Sequence, residues 1–435
     1  MKRTLLLFVT ASCWSTMVHA QDIKEKEVSR IISTLAADDM QGRRPGTPGI
    51  EKAAQFISSE FQKAGLQPLA GEKNFRQQFA KYSLKVTQTR LQINGQERNW
   101  PVIPVGKATS IRWEKDTSYN VVHVKDLNTL LPLLRQGNKR EKNTLVWLDP
   151  ALEGYLGGLN ASFAERFHDR PEDVQSTGDA QPQLLMVLEK EPVADSLPWS
   201  VSLTREVVSQ PFTNIAGMIK GSKKPDEYVV FSGHYDHLGI LPAVAGDSIA
   251  NGADDDASGT TAVIMLAKHF KQSRPARSII FVAFTAEESG GYGSGYFSEK
   301  QDPDKVVAMF NIEMIGKESK FGKNSAFITG FEKSDFGTIL QRNLKGSAFH
   351  FYPDPYPEQN LFYRSDNATL AKLGVPAHTI STTQIDKDKL YHTVNDELES
   401  LDVTNITDII KAIATSAKTI IGGTDTPTRI DPMKE

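Results

Sequence analysis

The chain has 435 residues, 24% of them charged and 39% hydrophobic, and it is long enough for two or three domains with sizeable cores. Its formal net charge is -3, without the basic excess of most nucleic-acid-binding proteins, so we expect no nucleic-acid partner. Beyond the N-terminal segment, no run approaches the ~20 apolar residues of a membrane-spanning helix, so we expect no transmembrane segment.

Residues 1–20 have the pattern of a secretory signal peptide, which predicts a periplasmic or extracellular location. Its parts are the basic pair Lys2-Arg3, the apolar run Leu5–Ala11 and a cleavage site after Ala20. The single cysteine of the sequence, Cys13, lies inside this segment, so the mature chain would contain no disulfide. An alternative interpretation treats "TASC" as a lipobox, with Cys13 lipidated at a membrane surface.

The mature sequence begins with two segments that keep apolar residues at helical spacing. They are Val28, Ile31, Ile32 and Leu35 in the first, and Ala53, Ile57 and Phe61 in the second. Residues 82–210 instead contain short β-like runs such as "LKVTQTRLQI", "NTLVWLDP" and "QLLMVLEK", separated by polar stretches. We therefore predict an inserted β-rich domain at 82–210, within a discontinuous domain formed by 21–81 and 211–435.

From Thr213 onward, apolar strand runs alternate with helical patterns. Runs such as "EYVVFSG" and "SIIFVAF" are apolar on both faces, which is typical of a parallel sheet covered by helices. The predicted fold class is α/β, with a mixed, mostly parallel central sheet flanked by helices. Open α/β sheets bind ligands at the carboxyl ends of their strands.

Candidate ligand residues follow several of these strand runs. They are His234, Asp236 and His237 in "SGHYDHLG", Asp254, Asp255 and Asp256 in "NGADDDASG", Glu287 and Glu288 in "FTAEESGG", Glu313 in "NIEMIG", and His392 in "KLYHTVNDE". Imidazoles and carboxylates without a thiolate form a ligand set that Zn²⁺ accepts. Two ions would need one bridging carboxylate and further ligands of their own.

Each candidate also has a structural explanation when it is taken alone. A lone histidine at a strand end is usually just hydrogen-bonded, and three aspartates before a helix often cap it. Glu313 is different, because a carboxylate in an apolar strand is costly unless it is paired or bound to metal. For Glu287-Glu288 the sequence suggests a division of roles, in which one carboxylate binds metal and the other accepts a proton from water.

Taken in order, these five motifs resemble the secreted dizinc aminopeptidase family, whose relatives include glutamate carboxypeptidase II, the glutaminyl cyclases and the non-catalytic transferrin receptor. "DDMQGRRPGTPG" and "RSDNATLAKLGVPA" also resemble family segments. The resemblance implies a zinc exopeptidase fold with two zinc ions per chain. The insert stands where many members carry a protease-associated domain, although its sequence resembles that domain poorly.

The resemblance also implies a role for each motif. His234 and Glu313 would bind one zinc, Asp255 would bridge, Glu288 and His392 would bind the other zinc, Glu287 would be the general base, and Asp236 would orient His234. Two residues depart from the family pattern. Glu313 stands where the family usually has aspartate, so that ion is expected to bind more weakly. Asn367 stands where many relatives have histidine.

The leading functional prediction is a zinc aminopeptidase that hydrolyses N-terminal residues from peptides with a free N-terminus. Three alternatives remain open: a glutaminyl-cyclase-like acyltransferase, a carboxypeptidase or dipeptidase, and a non-catalytic binding protein on a peptidase scaffold. The second would need a basic group for the substrate carboxylate, and Arg364 is a candidate. The sequence leaves open the preferred residue, the oligomeric state and the role of the insert.

Overall fold

The structure is a computed structural model that describes residues 22–115, 118–164, 166–174 and 182–433. The predicted signal peptide, with Cys13, lies outside these residues. The strands are β1 (Arg76–Ile93), β2 (Gln96–Arg98), β3 (Val102–Val105), β4 (Ser110–Glu114), β5 (Asn120–Val124), β6 (Thr144–Leu148), β7 (Leu184–Leu188), β8 (Trp199–Ile219), β9 (Lys224–His234), β10 (Gly239–Val244), β11 (Asp247–Ala250), β12 (Arg277–Phe284), β13 (Val306–Ile312), β14 (Ser325–Ile328), β15 (His350–Pro353) and β16 (Ala377–Ser381). The helices are α1 (Glu25–Leu35), α2 (Pro48–Ala64), α3 (Leu127–Arg135), α4 (Leu156–Leu159), α5 (Pro171–Val174), α6 (Gly259–Lys271), α7 (Tyr292–Glu299), α8 (Phe336–Asn343), α9 (Asn367–Ala371), α10 (Val403–Ser416) and α11 (Lys418–Ile421).

The chain divides into two compact units. One, which we call the split unit, is formed by the residues up to Gln78 together with Phe212–Glu435. The other, the inserted unit, is Phe79–Pro211. The domain limits predicted from the sequence, 82 and 210, remain predictions.

The split unit is built on a mixed sheet with the strand order β15-β14-β16-β13-β9-β12-β8. The central strands β12, β9, β13 and β16 are mutually parallel. Antiparallel pairing occurs further out, between β8 and β12 and between β14 and β16. The mixed, mostly parallel sheet predicted from the sequence is confirmed.

Successive residues of the central strands pack into opposite faces of this sheet. In β9, Val229 and Phe231 belong to a core cluster that also contains side chains of α1, α2, α6, α8 and α10. Val230 belongs to a second cluster, together with side chains of α7 and α9. Because side chains alternate along a strand, the apolar runs place helices on both faces, as the sequence predicted.

The inserted unit has its own sheet, with the order β3-β7-β6-β5. β5, β6 and β7 are parallel, and β3 is antiparallel to β7. One face packs against α3 through Leu130 and Leu134, and the other against residues of β1, β4 and β8. The runs that the sequence marked as β-like correspond to β1, β6 and β7, whereas β3, β4, β5 and α3 were not predicted.

The two helices predicted before the inserted unit are present as α1 and α2, and from Thr213 onward strands alternate with helices, as predicted. The hairpin β10-β11 and strand β14 were not predicted. Within the described ranges, every helix is too short or too polar to span a membrane.

One buried histidine of the sheet gives the fold a defined response to acid. His378 in β16 is fully buried, its Nδ1 lies 2.9 Å from the Thr329 carbonyl oxygen, and its Nε2 lies 2.7 Å from the Ser334 hydroxyl. Nδ1 therefore donates to the carbonyl, and Nε2 accepts from the hydroxyl. Burial lowers the pKa of His378 from 6.5 to about 4, because the charged imidazolium would lose its hydration.

We predict that this histidine makes the protein less stable as the pH falls from 6.5 towards 4. In that window the unfolded chain binds a proton that the native state excludes, so acid favours unfolding, by about 3 kcal/mol for a shift of this size. Denaturant unfolding of metal-free protein across this window should show a smaller loss for His378→Asn, whose amide can still donate to Thr329. Parallel pH profiles for the two proteins would contradict the prediction.

Candidate metal centre

The predicted ligand residues lie at the carboxyl edge of the central sheet. β12 is parallel to β9, with Phe284 beside His234, the last residue of β9. β13 is parallel to β9 on its other side and ends at Ile312, directly before Glu313. Since parallel strands end at the same edge, His234, Glu313 and the Glu287-Glu288 turn meet there.

Three of the turns at this edge adopt a backbone conformation that L-residues rarely use. Ala286, Met314 and His392 have φ values of 58°, 53° and 59°. Ala286 precedes the double glutamate and Met314 follows Glu313. Such residues persist only when surrounding contacts fix them, and they cluster at functional sites.

Two groups of potential ligand atoms lie within the centre, and Asp255 belongs to both. The first consists of His234, Asp255 and Glu313, and the second of His237, Asp255 and Glu288. His234 Nε2 lies 3.1 Å from Asp255 Oδ1. The other oxygen, Oδ2, faces the second group, so the carboxylate is placed between them as a bridging ligand would be.

His392 completes the second group, although its loop is remote in sequence. Its Nε2 lies 3.2 Å from Asp255 Oδ2 and 3.0 Å from Glu288 Oε2. Burial opposes the charged form, but hydrogen bonds with Asp255 and Glu288 outweigh it and raise the pKa of His392 to about 10 in the metal-free protein. The two carboxylates therefore attract a cation strongly, and the imidazole takes a proton when no metal is bound.

Glu313 is held in place by neighbouring polar side chains. The Ser365 hydroxyl donates to Glu313 Oε2. Asn311 Nδ2 lies 3.4 Å from the same oxygen and 2.6 Å from Ser365 Oγ. Burial, with repulsion from Asp255, raises the pKa of Glu313 to about 7.

Glu287 and Asp236 are linked through the backbone. The Glu287 N–H donates to Asp236 Oδ1 over 3.1 Å. Burial raises the pKa of Asp236 to about 7, and burial together with Glu313 raises the pKa of Glu287 well above its usual range. A carboxylate with a raised pKa in a cleft can serve as a proton acceptor near neutral pH.

His234 presents Nε2 to the centre because its other nitrogen is already bonded. Nδ1 lies 3.1 Å from the backbone oxygen of Asp236 and 3.8 Å from the carboxylate Oδ1 of the same residue. Nδ1–H therefore donates to the carbonyl, which leaves Nε2 as the ring nitrogen that faces Asp255. The Asp236 carboxylate, predicted to orient this ring, lies farther from Nδ1 than its own carbonyl does.

The outer two aspartates of "DDD" bind backbone groups. Asp256 accepts from the amides of His234, Gly259 and Met314 at 2.9–3.1 Å. Asp254 accepts from the Gly316 amide at 2.7 Å, and the amides of Asp254 and Asp255 in turn donate to the Asp396 carboxylate. These carboxylates tie together the turns that carry Asp255, His234 and Glu313.

A buried arginine also binds the backbone next to His234 and Asp255. Arg43 is completely buried, and its guanidinium donates to the carbonyls of Leu35, Tyr235, Asn251 and Gly252 at 2.6–2.9 Å. Burial lowers its pKa, while Asp236 and Asp396 oppose that effect. This residue comes from the loop "MQGRRPG", and it fixes the chain after His234 and before Asp255.

The site has the properties that a zinc pair requires. Imidazole nitrogens and carboxylate oxygens are zinc ligands, and one carboxylate faces both groups. His234 Nε2 is buried and lies 3.1 Å from Asp255 Oδ1, but the pair does not have the alignment of a hydrogen bond. A buried imidazole nitrogen directed at clustered carboxylates is a suitable zinc ligand.

All seven residues predicted for the site lie at this edge. Four of them, His234, Asp255, Glu288 and Glu313, belong to the two ligand groups, and His392 contacts Asp255 and Glu288. Others that sequence reasoning did not assign are His237, Arg43, Asp396, Ser365 and Asp366. His237 was noticed as a candidate, and "HYDH" was its only signal. Asp366 is buried, and neither of its carboxylate oxygens has a hydrogen-bond partner among the described residues.

An open cleft lies beside Glu313. Its wall contains both apolar or aromatic side chains and hydroxyl-bearing side chains. The apolar or aromatic ones are Met314, Phe327, Leu361, Ile385 and Tyr391, and the hydroxyl-bearing ones are Thr329, Ser365, Thr379, Ser381 and Thr383. Arg364 also lines it. The cleft therefore borders one residue of the group formed by His234, Asp255 and Glu313.

Comparison with known proteins agrees with this geometry. Residues 214–417, which include all the predicted site residues, match the profile of Peptidase family M28. This stretch belongs to peptidase family M28. The family predicted from the motifs is thereby confirmed.

Curated relatives share only part of their length with the chain. A probable zinc metalloprotease of Leptosphaeria maculans is 32% identical over 178 residues, which are 39% of this chain and 39% of the relative. A probable zinc metalloprotease of Pyricularia oryzae is 36% identical over 109 residues, 25% of this chain and 22% of the relative. The chain thus spans about two fifths or less of these relatives.

Two solved structures match nearly the whole chain. A zinc aminopeptidase from Bacillus subtilis aligns with a TM-score of 0.59 at 15% identity, covering 92% of this chain and 95% of that structure. An aminopeptidase from Aneurinibacillus sp. strain AM-1 aligns with a TM-score of 0.55 at 17% identity, covering 95% and 97%. At such identities these matches establish the fold.

We predict that Arg43→Met lowers the free energy of unfolding by about 3 kcal/mol, because four buried carbonyls lose their donor. Arg44→Met is the matched control, since Arg44 is exposed. Denaturant unfolding of both variants would measure the difference. Equal stabilities would show that the carbonyls find other partners.

Proposed function

We propose that the protein is a zinc-dependent exopeptidase that removes N-terminal residues from peptides, with two zinc ions per chain. The observation that carries the proposal is the position of Asp255 between two ligand groups at one sheet edge. His234, Asp255 and Glu313 would hold one ion, and Asp255, Glu288 and His392 the other. The family match and the zinc metalloprotease relatives support the proposal.

When bound, the zinc ions would polarise the scissile carbonyl and make the attacking water more acidic. The chain's own contribution is to place the ligands and a proton acceptor together. Asp255 is fixed through its amide by Asp396, and Glu313 through its carboxylate by Ser365. Such preorganisation avoids the cost of moving charges during the reaction.

Glu287 is proposed as the general base. Its backbone is anchored by Asp236, and its carboxylate interacts with the charges of His234 and Glu313. It would take a proton from the attacking water and later pass that proton to the amine that leaves. General acid–base transfer of this kind contributes typically 10²–10⁴-fold to a rate.

The cleft beside Glu313 is proposed to receive the side chain of the substrate's first residue. Its mixture of apolar and hydroxyl-bearing walls suits an uncharged side chain. Arg364 on the cleft wall supports one alternative, a carboxypeptidase, because its guanidinium could bind the carboxylate of a substrate. Substrates with a blocked N-terminus and a free C-terminus would then be cleaved, which separates carboxypeptidase from aminopeptidase activity.

A periplasmic or extracellular site of action is part of the proposal, supported by the pattern of residues 1–20. N-terminal sequencing of the exported protein would test it. A mature chain beginning near Gln21 is the expected result, and a lipid-modified Cys13 would favour the membrane-anchored alternative.

We predict that Glu287→Gln lowers kcat for aminoacyl-p-nitroanilides by 10²–10⁴-fold, because the amide cannot accept a proton. Its zinc content should equal that of the unaltered protein, since Glu287 is not a proposed ligand. Glu332→Gln serves as the control, because Glu332 is exposed. Activity that survives Glu287→Gln would exclude this residue as the base.

We also predict two unequal zinc affinities, because Glu313 is one methylene longer than the aspartate that the family usually has. Titration of metal-free protein in competition with a chelator should show a tight and a weaker site. Glu313→Asp should bring the two affinities closer together. Two equally tight sites in the unaltered protein would contradict this assignment.

A further inference from the structure

His237 is a buried imidazole at the metal centre that none of the proposed ligand roles requires. It follows β9 closely, and its side chain is fully inaccessible to solvent. The ring packs against the backbone of Gly252, where a Cβ atom would come within 2.5 Å of His237 Cγ and Cδ2. The backbone at Gly252 has φ of +55°, a conformation that glycine adopts readily, and the absence of a side chain leaves space for the ring. The position of the imidazole is therefore tightly constrained.

The two oxygens of Glu288 face different histidines. Oε2 lies 3.0 Å from His392 Nε2, and Oε1 lies 2.8 Å from His237 Nδ1. His392 Nε2 is also 3.2 Å from Asp255 Oδ2, so this nitrogen contacts both carboxylates. Ligand atoms around a tetrahedral zinc ion are roughly 3.3 Å apart, which resembles this spacing.

His237 contacts these carboxylates differently from His392, because it is close to only one of them. Its Nδ1 is at hydrogen-bond distance from Glu288 Oε1 but 3.8 Å from Asp255 Oδ2. His237 Nε2 has no hydrogen-bond partner among the described residues. If Nδ1 carries the proton, the buried atom without a partner is only an acceptor, and such acceptors are tolerated better than buried donors.

We propose that His237 is a positioning residue that donates Nδ1–H to Glu288 Oε1 and thereby leaves Oε2 as the only metal-binding oxygen of Glu288. Partners that orient a ligand from outside the coordination sphere commonly change metal affinity 10–100-fold. This inference rests on the proposed zinc pair. The rival assignment makes His237 itself a ligand, because its Nδ1 belongs to the same group of potential ligand atoms as Asp255 and Glu288.

Zinc binding by two variants of the full chain tests the hydrogen bond. His237→Leu removes the donor, and His237→Asn keeps an N–H group close to the position of Nδ1. Chelator competition should show that His237→Leu weakens one of two zinc sites about 10–100-fold, while His237→Asn stays within a few fold of the unaltered protein. His350→Leu is the matched control, since His350 is exposed. Unchanged affinity in a folded His237→Leu protein would overturn the proposal.

X-ray absorption at the zinc edge separates the two assignments by counting the imidazoles bound to zinc. The unaltered protein loaded with two zinc ions should show one imidazole per ion on average, from His234 and His392. Three imidazoles shared by two ions, falling to two in His237→Asn, would overturn the proposal in favour of direct ligation. Protein that binds no zinc would instead defeat the proposed function together with this inference, so the two failures can be told apart.

Discussion

The structure depends on burying many carboxylates at one end of a parallel sheet. An isolated ionised carboxylate in an apolar interior is too costly to persist, so each one needs a donor, a cation or a proton. The group consists of Asp236, Asp254, Asp255, Asp256, Glu287, Glu288, Glu313, Asp366 and Asp396. Many of the contacts around the centre supply these carboxylates with hydrogen-bond donors or positive charge.

The carboxylates satisfy it in two different ways. Asp254 and Asp256 bind backbone amides, and Lys317 lies 3.4 Å from Asp254 and 2.6 Å from Asp388. Asp255 and Glu288 instead face imidazoles, which bind protons or metal. The first set therefore fixes the turns, and the second set keeps its charge available at the centre. Unusual backbone at Ala286 and Met314 costs of order 1–3 kcal/mol each, and the fixed turns sustain it.

Local sequence patterns predicted the central strands and the residues that directly follow them. The apolar runs of β9, β12 and β13 predicted both the strands and their exits, so the residues just beyond them could be named. Arg43 could not be identified in this way, because its partners Tyr235 and Gly252 lie about two hundred positions away and backbone carbonyls carry no sequence signal. The hairpin β10-β11 also escaped prediction, since its exposed apolar residues form no alternating pattern.

The choice among neighbouring aspartates shows where sequence reasoning reaches its limit. "DDD" offers three equivalent carboxylates, and only the resemblance to a family selected Asp255. In the structure the selection has a physical cause, since Asp256 is occupied by three amides and Asp254 by Gly316 and Thr383. Asp255 is the one whose oxygens are directed to His234 and His392.

Because so many carboxylates are buried together, the binding of protons and the binding of metal at the centre are coupled. Burial raises the pKa of Asp236, Glu313 and Asp396 to about 7, so the metal-free centre near neutral pH is partly protonated. His392, with a pKa of about 10, is protonated as well. A zinc ion must displace such protons to reach the ligand atoms, so binding releases protons and weakens as the pH falls. A zinc ion bound here would thus be exchangeable, whereas the charges of Arg43 and Lys317 are permanent. That difference makes the centre a binding site within an otherwise fixed core.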